Sequence, residues 1–132
     1  MKHHIEIRVY YEDTDAGGIV YYANYLKYCE RGRTELLRSA GLENKPLMER
    51  EGFIFVVRHV SADYLASAFL DDKLDVQTSV EQIKNASFIM RQSIKREDKL
   101  LFEAQVTLVC VAKNGKPIRL PEQVRKALED DR

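Results

Sequence analysis

Residues 10–41 read YYEDTDAGGIVYYANYLKYCERGRTELLRSAG and contain the longest helical pattern of the chain. Apolar or small residues recur at the spacing of one helix face: Tyr22, Tyr25, Leu26, Cys29, Gly32, Leu36, Leu37 and Ala40. Polar residues fill much of the remaining surface: Glu30, Arg31, Arg33, Thr34, Glu35 and Arg38. Gly41 suits the left-handed position after the last turn, where Leu42 can fold back onto Leu37. The stretch predicts an amphipathic helix closed by a glycine cap.

An acidic turn, Asp13-Thr14-Asp15, and the pair Gly17-Gly18 precede this helix. A carboxylate near a helix start is stabilised by the helix dipole and by unpaired backbone amides. Asp15 therefore has two interpretations: a turn or helix cap, for which aspartate is favoured, or a general base or nucleophile at a carbonyl group. Gly17 and Gly18 either form a tight bend or let a ligand approach the backbone closely.

The rest of the chain is rich in alternating and β-branched residues. In three of the predicted strands the alternation places one set of residues together on one side: Ile5, Ile7, Val9 and Tyr11; Leu74, Val76, Thr78, Val80 and Gln82; and Phe88, Met90, Gln92 and Ile94. Strands are predicted at residues 4–11, 53–64, 74–83, 87–95 and 100–112. Short connections at residues 84–86 and 96–99 predict antiparallel neighbours. Pro46 ends any helix in the connector 43–52, and Pro121 suits the first position of a helix over 121–128. The order predicts an α+β fold whose uncovered strand edges favour a homo-oligomer.

Composition narrows the class of protein. The 132 residues suit one domain, 1–132, and 21 basic residues equal 21 acidic ones, which argues against nucleic acid or an anionic membrane as a partner. No apolar run approaches the roughly 18 residues of a membrane span, and no signal peptide is recognisable. Cys29 and Cys110 lack metal-ligand spacing, so buried, reduced thiols of a cytoplasmic protein are expected. No metal or cofactor site is predicted, because ligand spacing, a phosphate loop and a dinucleotide fingerprint are all absent from the sequence.

The segment 11–21, followed by Ala23-Asn24-Tyr25, resembles the signature of the 4-hydroxybenzoyl-CoA thioesterase family. Within that family it is most similar to the short-chain acyl-CoA thioesterases associated with the bacterial Tol–Pal envelope system. Further matching residues are Glu30 to Glu35, Val57-Arg58, Tyr64, Leu70 to Leu74, Ser87-Phe88 and Glu103-Ala104. The resemblance implies the hotdog fold, in which a five-stranded antiparallel sheet wraps around one long helix, and dimers often paired into tetramers. It also implies hydrolysis of a short-chain or aromatic acyl-CoA with no metal or redox cofactor.

The resemblance assigns roles to individual residues. It places the family's catalytic carboxylate on Asp15 and the helix-start amide that faces the thioester carbonyl on Tyr22. Many envelope-associated members carry histidine at the position of Tyr22, so a histidine side chain would not assist here, whereas a backbone amide is retained. Gly17 and Gly18 would let the acyl group and pantetheine arm approach the backbone.

Three further residues are candidate substrate contacts with ordinary alternatives. His59 is either a substrate contact or a solvated strand residue. Ser61 lines the channel from a neighbouring subunit or faces solvent. Lys84 either contacts the coenzyme A phosphates or is a solvated hairpin lysine.

Two other functions stay open at this point. One is a hotdog hydratase of enoyl thioesters, which would need a different acid–base pair, and the other is a non-catalytic partner of an envelope or lipid-synthesis complex. Release of a free thiol from acyl-CoA distinguishes the hydrolase from both.

Overall fold

The structure, a computed structural model, describes residues 3–43 and 47–132. Its five strands are β1 (His3–Arg8), β2 (Phe53–Tyr64), β3 (Lys73–Ile83), β4 (Ser87–Arg96) and β5 (Lys99–Ala112). The helices are α1 (Asn24–Ser39) and α2 (Glu122–Asp130), with a 3₁₀ helix at Tyr11–Asp13 and a π-helical turn at Leu47–Glu51. The predicted order of elements is confirmed, while the prediction for Pro46 lies outside the described residues.

The strands form one sheet in the order β1-β3-β4-β5-β2, and every neighbouring pair is antiparallel. Alternation places one set of side chains from each central strand in the core. On β4 these are Phe88, Met90, Gln92 and Ile94, all 0% exposed, as the sequence predicted. The apolar face of α1 packs against this side of the sheet, so the core lies between helix and sheet.

The predicted glycine cap of α1 is confirmed. Gly41 has a φ of +81°, and the amide of Leu42 donates to the carbonyl of Leu37 at 2.7 Å. This bond and the burial of Leu42 are the features of a Schellman cap. The helix is therefore stopped where the sequence indicated.

The predicted helix face is partly wrong. Tyr22 and Leu26 were placed on the buried face, yet they are 62% and 40% exposed. Tyr22 precedes the first residue of α1, so it does not share the helical periodicity. Conversely, Tyr28 is fully buried and Arg33, expected in solvent, is only 8% exposed. The face that meets the sheet is rotated toward these two residues.

Two strand predictions also need correction. Tyr11 was expected on the buried side of the first strand, but β1 ends at Arg8 and Tyr11 lies 83% exposed in the 3₁₀ helix. Gln82 was expected to share the core side of β3, but it is exposed. An irregularity between Val80 and Gln82 shifts the pairing with β4 and reverses the alternation beyond it.

The helix and the sheet approach each other closely at Gly32. A Cβ atom there would lie 2.8 Å from the Thr78 hydroxyl oxygen and 2.9 Å from a methyl carbon of Val76. Beside this contact, Gln92 Nε2 donates to the Cys29 carbonyl at 2.8 Å and to Thr78 Oγ1 at 2.9 Å. Gln92 Oε1 accepts from Arg33 Nη1 at 2.9 Å. One buried amide thus joins the helix to two strands.

Both cysteines are free and buried. Burial raises the pKa of Cys29 to about 12, with a smaller opposing effect of the Arg33 charge, and raises the pKa of Cys110 to about 11. Burial outweighs the Arg33 charge at Cys29, so both thiols stay protonated, and therefore unreactive, near neutral pH. The expectation of buried, unpaired thiols is confirmed.

Replacing Gln92 tests the buried network. Gln92→Leu removes the partner of the Arg33 guanidinium, the Thr78 hydroxyl and the Cys29 carbonyl, and we expect unfolding free energy to fall by about 2–5 kcal/mol. Gln82→Leu, on the exposed part of β3, should change it by less than about 0.5 kcal/mol. Urea titration followed by circular dichroism measures both. A loss below about 1 kcal/mol for Gln92→Leu would show that the network is not needed.

Thiol reactivity tests the burial of the cysteines. At about pH 8 the native protein should react only very slowly with a disulfide reagent, because both thiols stay protonated and covered. In urea the same chain should react with two equivalents of the reagent, one for each cysteine. Rapid labelling of the native protein would contradict the observed burial.

Candidate active site

The acidic turn forms a minimal hairpin before α1. Thr14 and Val20 pair in an antiparallel bridge, the Asp15 amide donates to the Ile19 carbonyl at 2.9 Å, and the Gly18 amide donates to the Asp15 carbonyl at 3.0 Å. The tip therefore runs from Asp15 to Gly18. Gly18 has a φ of +83°, a conformation that side chains other than glycine adopt with strain.

The side chain of Asp15 is both structural and accessible. Its Oδ1 accepts from the Gly17 amide at 2.8 Å, which is an Asx turn. Within residues 3–43 and 47–132, Oδ2 accepts no hydrogen bond, and the residue is exposed. A Cβ atom at Gly17 would lie 3.2 Å from Oδ1 and crowd the carboxylate. The two interpretations of Asp15 are therefore compatible, since one oxygen closes the turn and the other faces solvent.

The backbone turns into α1 immediately after the hairpin. The Tyr21 carbonyl accepts from the Asn24 amide at 2.9 Å, so Tyr22 and Ala23 are the central residues of a tight turn. The Tyr22 amide finds no acceptor in the described part of the chain, as expected for the first donors of a helix. Asp15 and this free amide thus belong to one hairpin–helix unit.

Several bonds secure the unit to the rest of the fold. Asn24 Nδ2 donates to the Asp13 carbonyl at 2.8 Å, and the Tyr10 amide donates to Asp13 Oδ2 at 2.8 Å. On the far side, the Val20 amide donates to the Ala68 carbonyl at 2.9 Å, and the Tyr25 hydroxyl accepts from the Ala68 amide at 3.0 Å. The hairpin is consequently held between the helix start and the loop that follows β2.

An aromatic cluster lies beside the helix start. The ring of Tyr22 meets that of Tyr64 edge-on, with centroids 6.2 Å apart. Tyr64, the last residue of β2, packs in turn against Tyr25 and Phe102 at 5.5 and 4.9 Å. Burial, and then the neighbouring Tyr22, raise the pKa of Tyr64. The sequence did not single out Tyr64 as a site residue, although it stands among the residues that carry the family resemblance.

The remaining candidates lie apart from Asp15 in the single chain. His59 and Ser61 are exposed on β2, opposite Thr107 and Gln105 of β5, and Lys84 is exposed in the β3–β4 hairpin. In the described ranges no hydrogen bond, ion pair or ring contact joins any of the three to Asp15 or Tyr22. Because β2 is an outer strand of the sheet, His59 and Ser61 lie at an open edge.

The described chain offers little for other classes of site. A large cleft of about 840 Å³ lies away from the hairpin, between β1, β3 and the β4–β5 turn. No group of His, Cys, Asp and Glu side chains in residues 3–43 and 47–132 has an arrangement that would hold a metal ion. Across the same residues, no helix is both long and apolar enough to cross a membrane.

Comparison with known proteins places this arrangement in a family. The sequence pattern of the thioesterase-like superfamily matches residues 9–128. The chain belongs to this superfamily. The acyl-CoA thioesterase YbgC of Haemophilus influenzae is 43% identical to it over 122 residues, which cover 92% of this chain and 90% of that protein.

Solved structures agree with this membership. The crystal structure of a probable thioesterase from Bartonella henselae has a TM-score of 0.89 at 39% identity and covers 92% of this chain and 100% of that one. A 4-hydroxybenzoyl CoA thioesterase mutant complexed with 4-hydroxybenzoyl CoA has a TM-score of 0.91 at 20% identity, covering 96% and 98%, and shows the shared fold alone. The family resemblance and the hotdog fold inferred from the sequence are confirmed, and the enzyme class inferred is the one named for these relatives.

The left-handed tip of the hairpin gives a testable prediction. Gly18→Val places a β-branched residue at a positive φ, and we expect a loss of about 1–2 kcal/mol in unfolding free energy. Gly18→Asn should lose less, because asparagine tolerates the left-handed region. Urea denaturation of both variants makes the comparison. Equal stability of the valine variant and the unaltered protein would mean that the turn relaxes to another conformation.

Proposed function

We propose that the protein hydrolyses a short-chain or aromatic acyl-CoA to the free acid and coenzyme A. The observation that carries the proposal is the accessible Asp15 carboxylate on the same hairpin–helix unit as the free Tyr22 amide. The relatives named acyl-CoA thioesterases support the substrate class. The resemblance of residues 11–25 to the 4-hydroxybenzoyl-CoA thioesterase family supports an aromatic acyl group as one option.

The chemistry follows from these two groups. Asp15 accepts a proton from water while the water oxygen attacks the thioester carbonyl carbon. The carbonyl oxygen becomes an oxyanion, which the Tyr22 amide stabilises by about 3 kcal/mol, the typical contribution of one such donor. Collapse of the tetrahedral intermediate breaks the carbon–sulfur bond, and the thiolate leaves and takes up the proton. Direct attack by Asp15 would instead form an anhydride, which water then cleaves.

The proposed enzyme is a homo-oligomer, a dimer or a dimer of dimers. The outer strand β2 carries Val56, Val57 and Val60, which are 37%, 47% and 39% exposed. An apolar edge strand of this kind is suited to pairing with another chain. In such an assembly His59 and Ser61 of one chain would line the substrate channel of its neighbour. A second chain would also shield the hairpin, which lies open in the single chain.

Lys84 would meet the phosphates of coenzyme A at the mouth of the site, where a flexible ammonium group serves as a point charge. The proposed location is the cytoplasm, in keeping with the two unpaired thiols. A link with the Tol–Pal envelope system stays a prediction from the family resemblance.

The proposal is tested by thiol release from a panel of acetyl-, butyryl-, hexanoyl- and benzoyl-CoA. The unaltered protein should release coenzyme A from at least one of them. Asp15→Asn keeps the shape of the side chain and removes the base, so kcat should fall at least about 100-fold. Glu12→Gln is the matched control, because Glu12 is an exposed acid in the 3₁₀ helix just before the hairpin, and its kcat should stay within twofold of the unaltered protein.

Other outcomes identify the alternatives. Loss of enoyl absorbance without thiol release would indicate a hydratase. No reaction with any thioester would favour a non-catalytic binding protein. Full activity of Asp15→Asn would exclude the assigned role of the carboxylate even if the protein hydrolyses thioesters.

A further inference from the structure

Asn24 makes a contact that its position in the sequence does not require. It is the first residue of α1, one position after the N-cap residue Ala23, the position at which an asparagine side chain commonly accepts from an amide of the first turn. Here the helix has no side-chain cap, and the carboxamide of Asn24 points back along the chain. Its Nδ2 donates to the Asp13 carbonyl, eleven residues earlier, at 2.8 Å.

This bond closes a loop that contains both reacting groups of the proposed enzyme. Asp15 lies two residues beyond Asp13, and the free amide of Tyr22 lies two residues before Asn24. The Asp13 carbonyl also accepts from the Tyr21 amide at 2.9 Å. The Asp13 carbonyl thus accepts one bond from the returning arm of the hairpin and one from the helix, and the bond to the helix depends entirely on the Asn24 side chain.

Burial makes the bond specific. Asn24 is 8% exposed, so its amide has few competing water contacts, and a buried donor left without a partner is unfavourable. Asp13 is itself held in place, because the Tyr10 amide donates to its Oδ2 at 2.8 Å, and the position of the Asp13 carbonyl is thereby fixed. Rotation of the hairpin relative to α1 would break the Asn24 bond.

We propose that Asn24 is a positioning residue that fixes the Asp15 carboxylate relative to the Tyr22 amide. It acts through the hairpin and does not touch the substrate. The inference rests on the proposed hydrolase function and adds a residue to which no role has been assigned. Its physical basis is that displacement of a catalytic group by about 1 Å can lower a rate about 100-fold.

The first test separates positioning from stability. Asn24→Ala should lower kcat about 10-fold or more while KM stays within twofold. Loss of the bond lets the hairpin shift the Asp15 carboxylate relative to the Tyr22 amide, whereas the residues that bind the substrate are unchanged. Val124→Ala is the matched control, since Val124 is fully buried in α2, away from the hairpin. It should lower the melting temperature but leave kcat within twofold when both variants are assayed well below it.

The second test uses a nearly isosteric side chain whose donor depends on pH. In Asn24→Asp the ionised carboxylate cannot donate to the Asp13 carbonyl, whereas the protonated acid can. Burial of this position, which is 8% exposed in the unaltered chain, raises the pKa of the introduced carboxyl group toward the assay range. Tyr28 lies one turn further along α1, and burial and Asp13 raise its pKa, so it stays neutral throughout. The kcat of this variant relative to the unaltered protein should rise as pH falls from about 8 to about 5.

The possible results distinguish failure of the positioning role from failure of the proposed hydrolase function. Positioning is supported if the kcat of Asn24→Ala relative to the unaltered protein is independent of pH over this range while the same ratio for Asn24→Asp rises as pH falls. A kcat for Asn24→Ala within twofold of the unaltered protein, or a flat ratio for Asn24→Asp, overturns it while thioester hydrolysis stands. Absence of thiol release by the unaltered protein overturns the proposed function and the positioning role together.

Discussion

The contact between α1 and the sheet at Gly32 is the constraint on which the other parts of this structure depend. A hydrogen in place of a side chain lets the helix backbone reach Val76 and Thr78, and even one added carbon would meet both at less than 3 Å. Such close approach buries backbone carbonyls, and each needs a partner. The carbonyls inside α1 are paired within the helix, and Gln92 adds a second bond to one of them, the Cys29 carbonyl, so the sheet is joined directly to the helix backbone.

The same contact explains the burial of a charged residue. Arg33 follows Gly32 and is drawn under the sheet, where burial lowers the pKa of its guanidinium and the neighbouring Cys29 and Glu30 oppose that shift. Its observed partner is the neutral oxygen of Gln92. Charged groups are costly to bury, so the arrangement favours one rotation of the helix over others that leave Arg33 without this bond. Fixing that rotation also fixes the direction of the amides at the start of α1.

The candidate site depends on the direction of the backbone amides at the start of α1. The positive end of the helix dipole lies beside the hairpin that carries Asp15, and a dipole of this sense favours both a carboxylate and a developing oxyanion. The aromatic rings of Tyr22 and Tyr64 border it on one side. In the single chain the carboxylate remains open to water, which weakens electrostatic effects. The open edge of β2 is therefore central to the proposed enzyme, because a second chain there would enclose the site.

Much of the fold follows from local pattern. Alternation identified the buried set of β4, the glycine at position 41 marked the end of α1, and short connections identified the antiparallel hairpins, because each depends on residues near one another in the sequence. The acidic turn and its glycines indicated the family and the position of Asp15. The tertiary structure decided the burial of Arg33, the exposure of Tyr22, the irregularity before Gln82 and the bond from Asn24 to Asp13. Periodicity records only the average polarity of a face, whereas these features depend on which atoms meet when separate segments come together.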